Sequence, residues 1–269
     1  ILSKTLMLSV TPVQLMWLRF LLAWGAMCVI YPKWHFKWRD EAVFLLLSLF
    51  ANTLYFLAEN TALKLTQTSN VSILVTTAPI MTALLLRIFR GDRITKRQIT
   101  GFSVAFLGVV LVVLNGMLQL QLRPLGDILA LAAALCWAVY SILVRHCSEE
   151  FSSFLITRKL MFYGLLSSTP LLFLETAPDI RALLTAENIL SLLYLALVGS
   201  ALCYVLWNTS IQRIGAMKTN VYIYAIPLVT LAAGAAILKE KITLTGMAGI
   251  LLVIFGMFLS GKKTPDGET

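Results

Sequence analysis

The chain has 269 residues, 59% of them hydrophobic and 13% charged, with a mean hydropathy of +0.85 and a formal net charge of +9. That balance lies well outside the range of water-soluble globular domains, so the solvent for most of the surface is expected to be lipid. The length suits about nine bilayer crossings of roughly 20 residues with short turns, and leaves no room for a soluble domain beside them.

Apolar runs bounded by charge, proline or capping residues predict helices over about 13–31, 41–63, 69–89, 98–116, 126–145, 152–173, 188–210, 218–238 and 244–261. Two starts carry capping-box spacing: Thr11 with Pro12 and Gln14, and Thr95 with Gln98. There a side-chain oxygen meets a backbone N–H that the first helical turn leaves without a partner. The run lengths suit helices rather than the ten-residue alternating strands of a membrane barrel.

The basic residues fall in short runs between apolar stretches, not in one stripe, which argues against a nucleic-acid partner and for a role in orientation. One side holds Lys33, Lys37, Arg39, Arg90, Arg93, Lys96, Arg97, Arg145, Arg213, Lys218, Lys262 and Lys263. The other holds Lys4, Lys64, Arg123, Arg181, Lys239 and Lys241. The first side, with the C-terminus, is therefore expected in the cytoplasm, in a plasma-type membrane. Cys28, Cys136, Cys147 and Cys203 show no CxxC spacing, so neither a disulfide nor a metal site is expected. No basic segment followed by a short apolar core opens the chain, so no cleavable signal peptide is expected.

Sliding the chain against itself by 148 residues aligns Asn60-Thr61 with Asn208-Thr209, Pro79 with Pro227, Thr82 with Thr230, Ile94-Thr95 with Ile242-Thr243, Gly101 with Gly249 and Gly108 with Gly256. The expected organisation is all-α and polytopic, a ten-helix inverted repeat of five plus five. Residues 1–122 form the first repeat, with most of its opening helix absent, and residues 123–269 the second. An odd number of helices per repeat inverts the second copy, and such pairs recur in transporters that expose a midplane site to each side in turn.

The segments LYFLAENTALKLTQTSNVSILVTTAPIMTALL and GDRITKRQITGFSVAFLGVVLV, with weaker echoes in IYAIPLVTLAAGAAILKEKITLTGMAGILLVIFGMFL, resemble the paired domains of EamA-type transporters of the drug/metabolite transporter superfamily. The resemblance covers nearly the whole chain. It implies ten helices, both termini cytoplasmic, and export of amino acids, other metabolites or drugs, without naming a substrate.

Pro79 and Pro227 are expected near the middle of matching helices, where a freed carbonyl can serve a ligand or let the helix bend, or where a static kink aids packing. Glu59 is the one acid placed well inside a membrane segment, and three readings stay open. It can couple protons, pair with Arg19 at similar depth, or lie near the outer interface. Asn52, Tyr55 and Glu59 follow i, i+3, i+7 spacing, so one helix face presents polar groups. Thr76 near Pro79, the pairs Trp137 with Tyr140 and Asn220 with Tyr224, and the face of Ser200, Tyr204 and Trp207 complete the candidate solute pathway. Aromatic walls with few polar anchors suit an amphipathic or aromatic solute, although aromatics also fill membrane cores and interfacial belts. Arg158 and Lys159, two turns into their helix, are expected to snorkel to the headgroups rather than to attract an anionic solute. Gly101, Ala105 and Gly108, with Gly246, Gly249 and Gly256, are expected to pack helices closely within the fold rather than in a dimer. The assembly is left as a monomer or homodimer.

The expected function is a secondary transporter, an exporter of small organic metabolites, with protons as a possible coupling ion and no cofactor. A membrane-embedded enzyme is the alternative. It calls for paired acids, a His-rich metal motif or a Ser/His dyad at depth, whereas His35 and His146 both fall near loops. A non-transport membrane partner calls for a sizeable loop or soluble domain, and the longest expected connection runs only from about Glu175 to Glu187.

Overall fold

A chain this apolar must satisfy its backbone within each segment, and every element found is helical. The structure, a computed structural model, describes residues 6, 10–33, 35–114, 123–175, 183–238 and 243–261. The fragment Ile1 to Lys4, most of the connection from Glu175 to Glu187, and Arg181, Lys239, Lys241, Lys262 and Lys263 lie outside the described residues.

The described residues form nine helical segments where nine were expected. They are α1 (Pro12–Ile30), α2 (Trp38–Leu65), α3 (Thr68–Arg90), α4 (Lys96–Leu114), α5 (Pro124–Cys147), α6 (Ser153–Leu172), α7 (Ala186–Ile214), α8 (216–238) and α9 (Leu244–Gly261). Six of them, α1 to α5 and α7, are long and apolar enough to cross a bilayer. Both capping boxes form. Gln14 N–H donates to Thr11 Oγ1 at 3.3 Å while Thr11 N–H donates to Gln14 Oε1 at 3.0 Å, and Thr95 and Gln98 repeat the exchange at 3.2 and 2.9 Å. Between α7 and α8 a single residue turns the chain: Gly215 at φ 88°, a conformation that a Cβ would strain.

Four helices depart from regular α geometry. α2 carries a π-helical turn at Leu49–Thr53 and α7 another at Leu197–Leu202, starting 148 residues apart. α3 and α8 are interrupted, not kinked in mid-helix as expected for Pro79 and Pro227. In α3 a turn at Thr76 and Thr77 precedes Ala78–Arg90, and Pro79 sits in the first turn of that segment, where its missing N–H has no intrahelical role. In α8 a 3-10 turn, Tyr222–Tyr224, precedes Ala225–Leu238, in which Pro227 is third.

The chain divides into two compact units, one of Ile1–Phe56 and Leu143–Arg213, the other of Leu57–Ile142 and Ile214–Thr269. In unit 1, α1 packs along α6 and against α7, and the opening of α2 packs on α6. In unit 2, the main contact is α4 on α9. Of the expected small residues, Gly101, Ala105, Gly108, Gly249 and Gly256 lie at this contact, within one chain. A Cβ on Gly108 would come 2.6 Å from Val253 N and 2.7 Å from Gly249 O, and one on Gly101 would come 2.6 Å from Ser260 N. A Cβ on Gly256 would strike the backbone of Ala105. Around this seam Phe102, Val109, Val221, Tyr224 and Val253 form a buried core.

Gly108→Ala is expected to destabilise the protein by about 1–3 kcal/mol through overpacking against backbone. Gly25, whose Cβ would meet nothing within 4 Å, is the control. Gly25→Ala should leave stability unchanged or raise it by about 0.5–1 kcal/mol. Thermal unfolding in detergent measures both, and equal melting of the two variants would refute the close contact.

Candidate functional site

Unit 1 forms a partly open pocket of about 310 Å³ where the end of α1 meets the beginnings of α2 and α6. Trp24, Cys28, Pro32, Phe36 and Phe162 give it an apolar wall, and Glu41, Arg158, Lys159 and Tyr163 line the rest. The Trp24 and Phe162 rings meet with centroids 5.6 Å apart. Phe36 is 59% exposed and Pro32 is also exposed.

The polar side is built from helix ends. Asp40 and Glu41 fall in the first turn of α2, where the exposed N–H groups favour negative charge. Ser152 caps the start of α6, its hydroxyl accepting from Leu155 N–H at 3.3 Å, and the next turns bring Arg158 and Lys159 toward α1 and α2. The Lys159 ammonium donates to Glu41 Oε1 at 2.5 Å, and the Tyr163 hydroxyl donates to Glu41 Oε2 at 2.7 Å. Phe36 and Phe44 rings lie 6.0 and 5.9 Å from the ammonium, adding cation–π attraction. The Arg158 guanidinium donates to the carbonyls of Tyr31 and Lys33, both at 2.7 Å. Those carbonyls follow the C-terminus of α1, where backbone acceptors face outward and a cation is favoured. His35 and Asp40, 2.6 Å apart, tie the same connection to α2.

Glu41, Arg158 and Lys159 are only 4%, 5% and 6% exposed. The expectation that Arg158 and Lys159 snorkel is thus corrected, because direct partners hold both inward. Glu41, which the expected helix 41–63 places at its boundary, is the buried carboxylate among the described residues. The missed signal was two adjacent cations two turns into α6, which call for an acid at similar depth, and Asp40 and Glu41 open α2 at that level.

The expected pathway residues form separate clusters. In unit 1, Asn52 lies fully buried in the π turn of α2. Its amide N–H groups donate to Ser48 Oγ and the Leu160 carbonyl, each at 3.0 Å. The Tyr204 hydroxyl faces Asn52 Oδ1 at 3.0 Å and the Ala51 carbonyl at 3.1 Å. Arg19 donates to Ser200 Oγ through Nε at 3.2 Å and Nη2 at 3.0 Å. Tyr55 and Trp207 are half-buried, with Tyr55 edge-on to Phe56.

In unit 2, Trp137 and Tyr140 meet edge to face at 5.2 Å. Ser141 Oγ lies 3.5 Å from Asn220 Oδ1, and Asn220 Nδ2 donates to the Ala216 carbonyl at 2.9 Å. Thr76 donates to the Ile73 carbonyl at 2.6 Å. Tyr140, Asn220 and Tyr224 are fully buried, Pro79 and Pro227 are buried, and Glu59 is half-buried. Among the described residues no group of three or more His, Cys, Asp or Glu could hold a metal ion.

The model of the EamA-like transporter family matches residues 1–114 and 124–261. The chain belongs to that family. This EamA-like transporter is 27% identical to an uncharacterized transporter of Archaeoglobus fulgidus (strain ATCC 49558) over 94% of this chain and 90% of the relative. It is also 27% identical to a protein of Escherichia coli (strain K12) described as a probable amino-acid metabolite efflux pump, over 63% of this chain and 59% of the relative. A crystal structure of 17% sequence identity covers 93% of this chain and 89% of its own with a TM-score of 0.79, which shows a shared fold. The EamA-like transporter is an integral membrane protein acting on small solutes.

Lys159→Met leaves the Glu41 carboxylate buried without its cation and is expected to cost about 3–5 kcal/mol of stability. The double variant Glu41→Gln/Lys159→Met should recover most of that. Thermal unfolding of the purified transporter reads both, and an equal loss in the double variant would sink the ion-pair account.

Proposed function

We propose that the protein is a secondary transporter that exports small organic metabolites, amino acids or amphipathic and aromatic solutes, by alternating access between two inverted five-helix repeats, 1–122 and 123–269. The observation that carries this reading is the pair of interrupted helices. α3 breaks at Thr76 and Thr77 just before Pro79, and α8 passes through a 3-10 turn at Tyr222–Tyr224 just before Pro227. Discontinuous helices at equivalent places in two repeats are where transporters of inverted-repeat design bind solute, because the unwound backbone offers polar groups at the midplane. The π turns at Leu49–Thr53 and Leu197–Leu202 give the repeat a second matching irregularity. The efflux-pump description of the Escherichia coli relative supports export and an amino-acid-like solute.

In this reading Asn52, Tyr55, Thr76, Trp137, Tyr140, Tyr204, Trp207, Asn220 and Tyr224 line the path around the two prolines. Glu59 carries the coupling proton or is neutralised by Arg19, and the C-terminus faces the cytoplasm. Transport requires no covalent chemistry from these side chains, which sets this reading apart from that of a membrane-embedded enzyme.

The test is counterflow of labelled amino acids and amphipathic amines in liposomes holding the full-length protein, with and without a pH gradient. Saturable exchange is expected, with the gradient response lost in Glu59→Gln. Exchange that keeps its gradient response in Glu59→Gln removes the coupling role, and absence of exchange for every solute removes the transport reading.

A further inference from the structure

A cation at a helix C-terminus is favoured by the carbonyls there, and one at an N-terminus is opposed by the exposed N–H groups. One end of unit 2 has both. Arg87 and Arg90 fall in the last turn of α3, where they suit the helix. Gly91, at φ 69°, ends α3, and Thr95 caps α4 a few residues later. Lys96 and Arg97 then open α4 in a turn that holds no acid. The start of α8 packs on α3 and brings Met217 Sδ to 3.2 Å from the Gln98 amide, so Lys218 joins Arg93 and the other four.

The stretches 87–97 and 216–221 thus hold six cations and one acid, Asp92. Among the described residues none of the six side chains makes an ion pair or a hydrogen bond. Orientation in the membrane needs only the number of such charges. It does not need Arg97 to be half-buried with its Nε–H shut away from solvent and without an acceptor, an arrangement that costs stability until an acceptor arrives. Between Arg87 and Arg90 stand Ile88 and Phe89, both exposed. We infer that this end of unit 2 binds the headgroup of an anionic phospholipid. A phosphate oxygen accepts from Arg97, whose planar fork of donors matches phosphate geometry, and the other cations supply the surrounding positive field. The acyl chains lie along Ile88 and Phe89. A lipid fits better than a soluble anion because the cations alternate with exposed apolar side chains at the ends of α3 and α4, both long and apolar enough to cross a bilayer. The site stands apart from the transport reading, since binding is read at equilibrium without flux and uses none of the residues assigned to the solute path.

The experiment titrates phosphatidylglycerol into the delipidated full-length protein in neutral detergent and counts bound lipid by native mass spectrometry, with phosphatidylcholine as comparator. Phosphatidylglycerol is expected to bind roughly tenfold more tightly or better. A cation near the headgroups is worth roughly a fivefold change in affinity, so Lys218→Gln should weaken binding by about that factor. Arg97→Gln should weaken it roughly tenfold, because hydrogen bonds go with the charge. Arg97→Lys keeps the charge but not the fork, and should still weaken it roughly threefold or more. Lys64→Gln removes an exposed cation just before the start of α3, at the other end of that helix, and should change nothing. Equal binding of the two lipids, wild-type affinity in Arg97→Lys, or as large a loss in Lys64→Gln as in Arg97→Gln would each overturn the inference. Inorganic phosphate that binds as tightly as phosphatidylglycerol would assign the site to a soluble anion and overturn it as well. Lys218 is exposed, so Lys218→Gln decides the matter even where Arg97→Gln does not fold, and unchanged affinity there also refutes the site.

Discussion

Everything in this protein is arranged around one constraint: in hydrocarbon a backbone N–H or carbonyl without a partner costs several kcal/mol. The constraint makes the chain helical and makes each departure from the α pattern conspicuous. The departures sit beside polar side chains that take up the slack. Asn52 lies in the π turn of α2, and in that of α7 the Ser200 hydroxyl donates to the Leu195 carbonyl at 3.1 Å. Thr76 and Thr77 each donate a hydroxyl, at 2.6 Å, to a carbonyl three residues back, where α3 breaks.

The two units meet the same problem with opposite means. Lipid tails are as apolar as leucine, so helices in a bilayer cannot rely on hydrophobic burial to find one another. Unit 2 removes side chains, and the backbones of α4 and α9 touch along Gly101, Gly108, Gly249 and Gly256. Unit 1 adds polar bonds. Glu41 and Lys159 join α2 to α6, Arg158 joins α6 to the end of α1, Asn52 bridges Ser48 and Leu160, and Arg19 reaches Ser200 on α7. The first solution is close-packed, the second open enough to leave a pocket.

Much of the fold was legible because hydropathy and capping report local properties. The nine helices, the Thr11–Gln14 and Thr95–Gln98 caps and the glycine seam were all readable from spacing. What spacing could not convey was the angular consequence of irregular turns. The face of Asn52, Tyr55 and Glu59 assumed 3.6 residues per turn, and Asn52 lies in a π turn that advances differently. Pro79 was read as a mid-helix residue because nothing in a run of apolar residues announces that Thr76 and Thr77 leave the helix. The partnership of Glu41 with Lys159 spans 118 positions, and single-chain spacing cannot reveal which distant acid answers a buried cation.

That partnership bears on how the protein enters its membrane. α6 has 20 residues but is not among the six helices apolar enough to cross unaided. A Lys or Arg at a helix centre opposes insertion by about 2.5–3.5 kcal/mol, and α6 carries both, nearer one end. Its carboxylate partner emerges from the ribosome more than a hundred residues earlier, on α2. Glu41 thus precedes Lys159 in the order of synthesis, and the contact between them offsets part of what placing two cations of α6 in hydrocarbon costs.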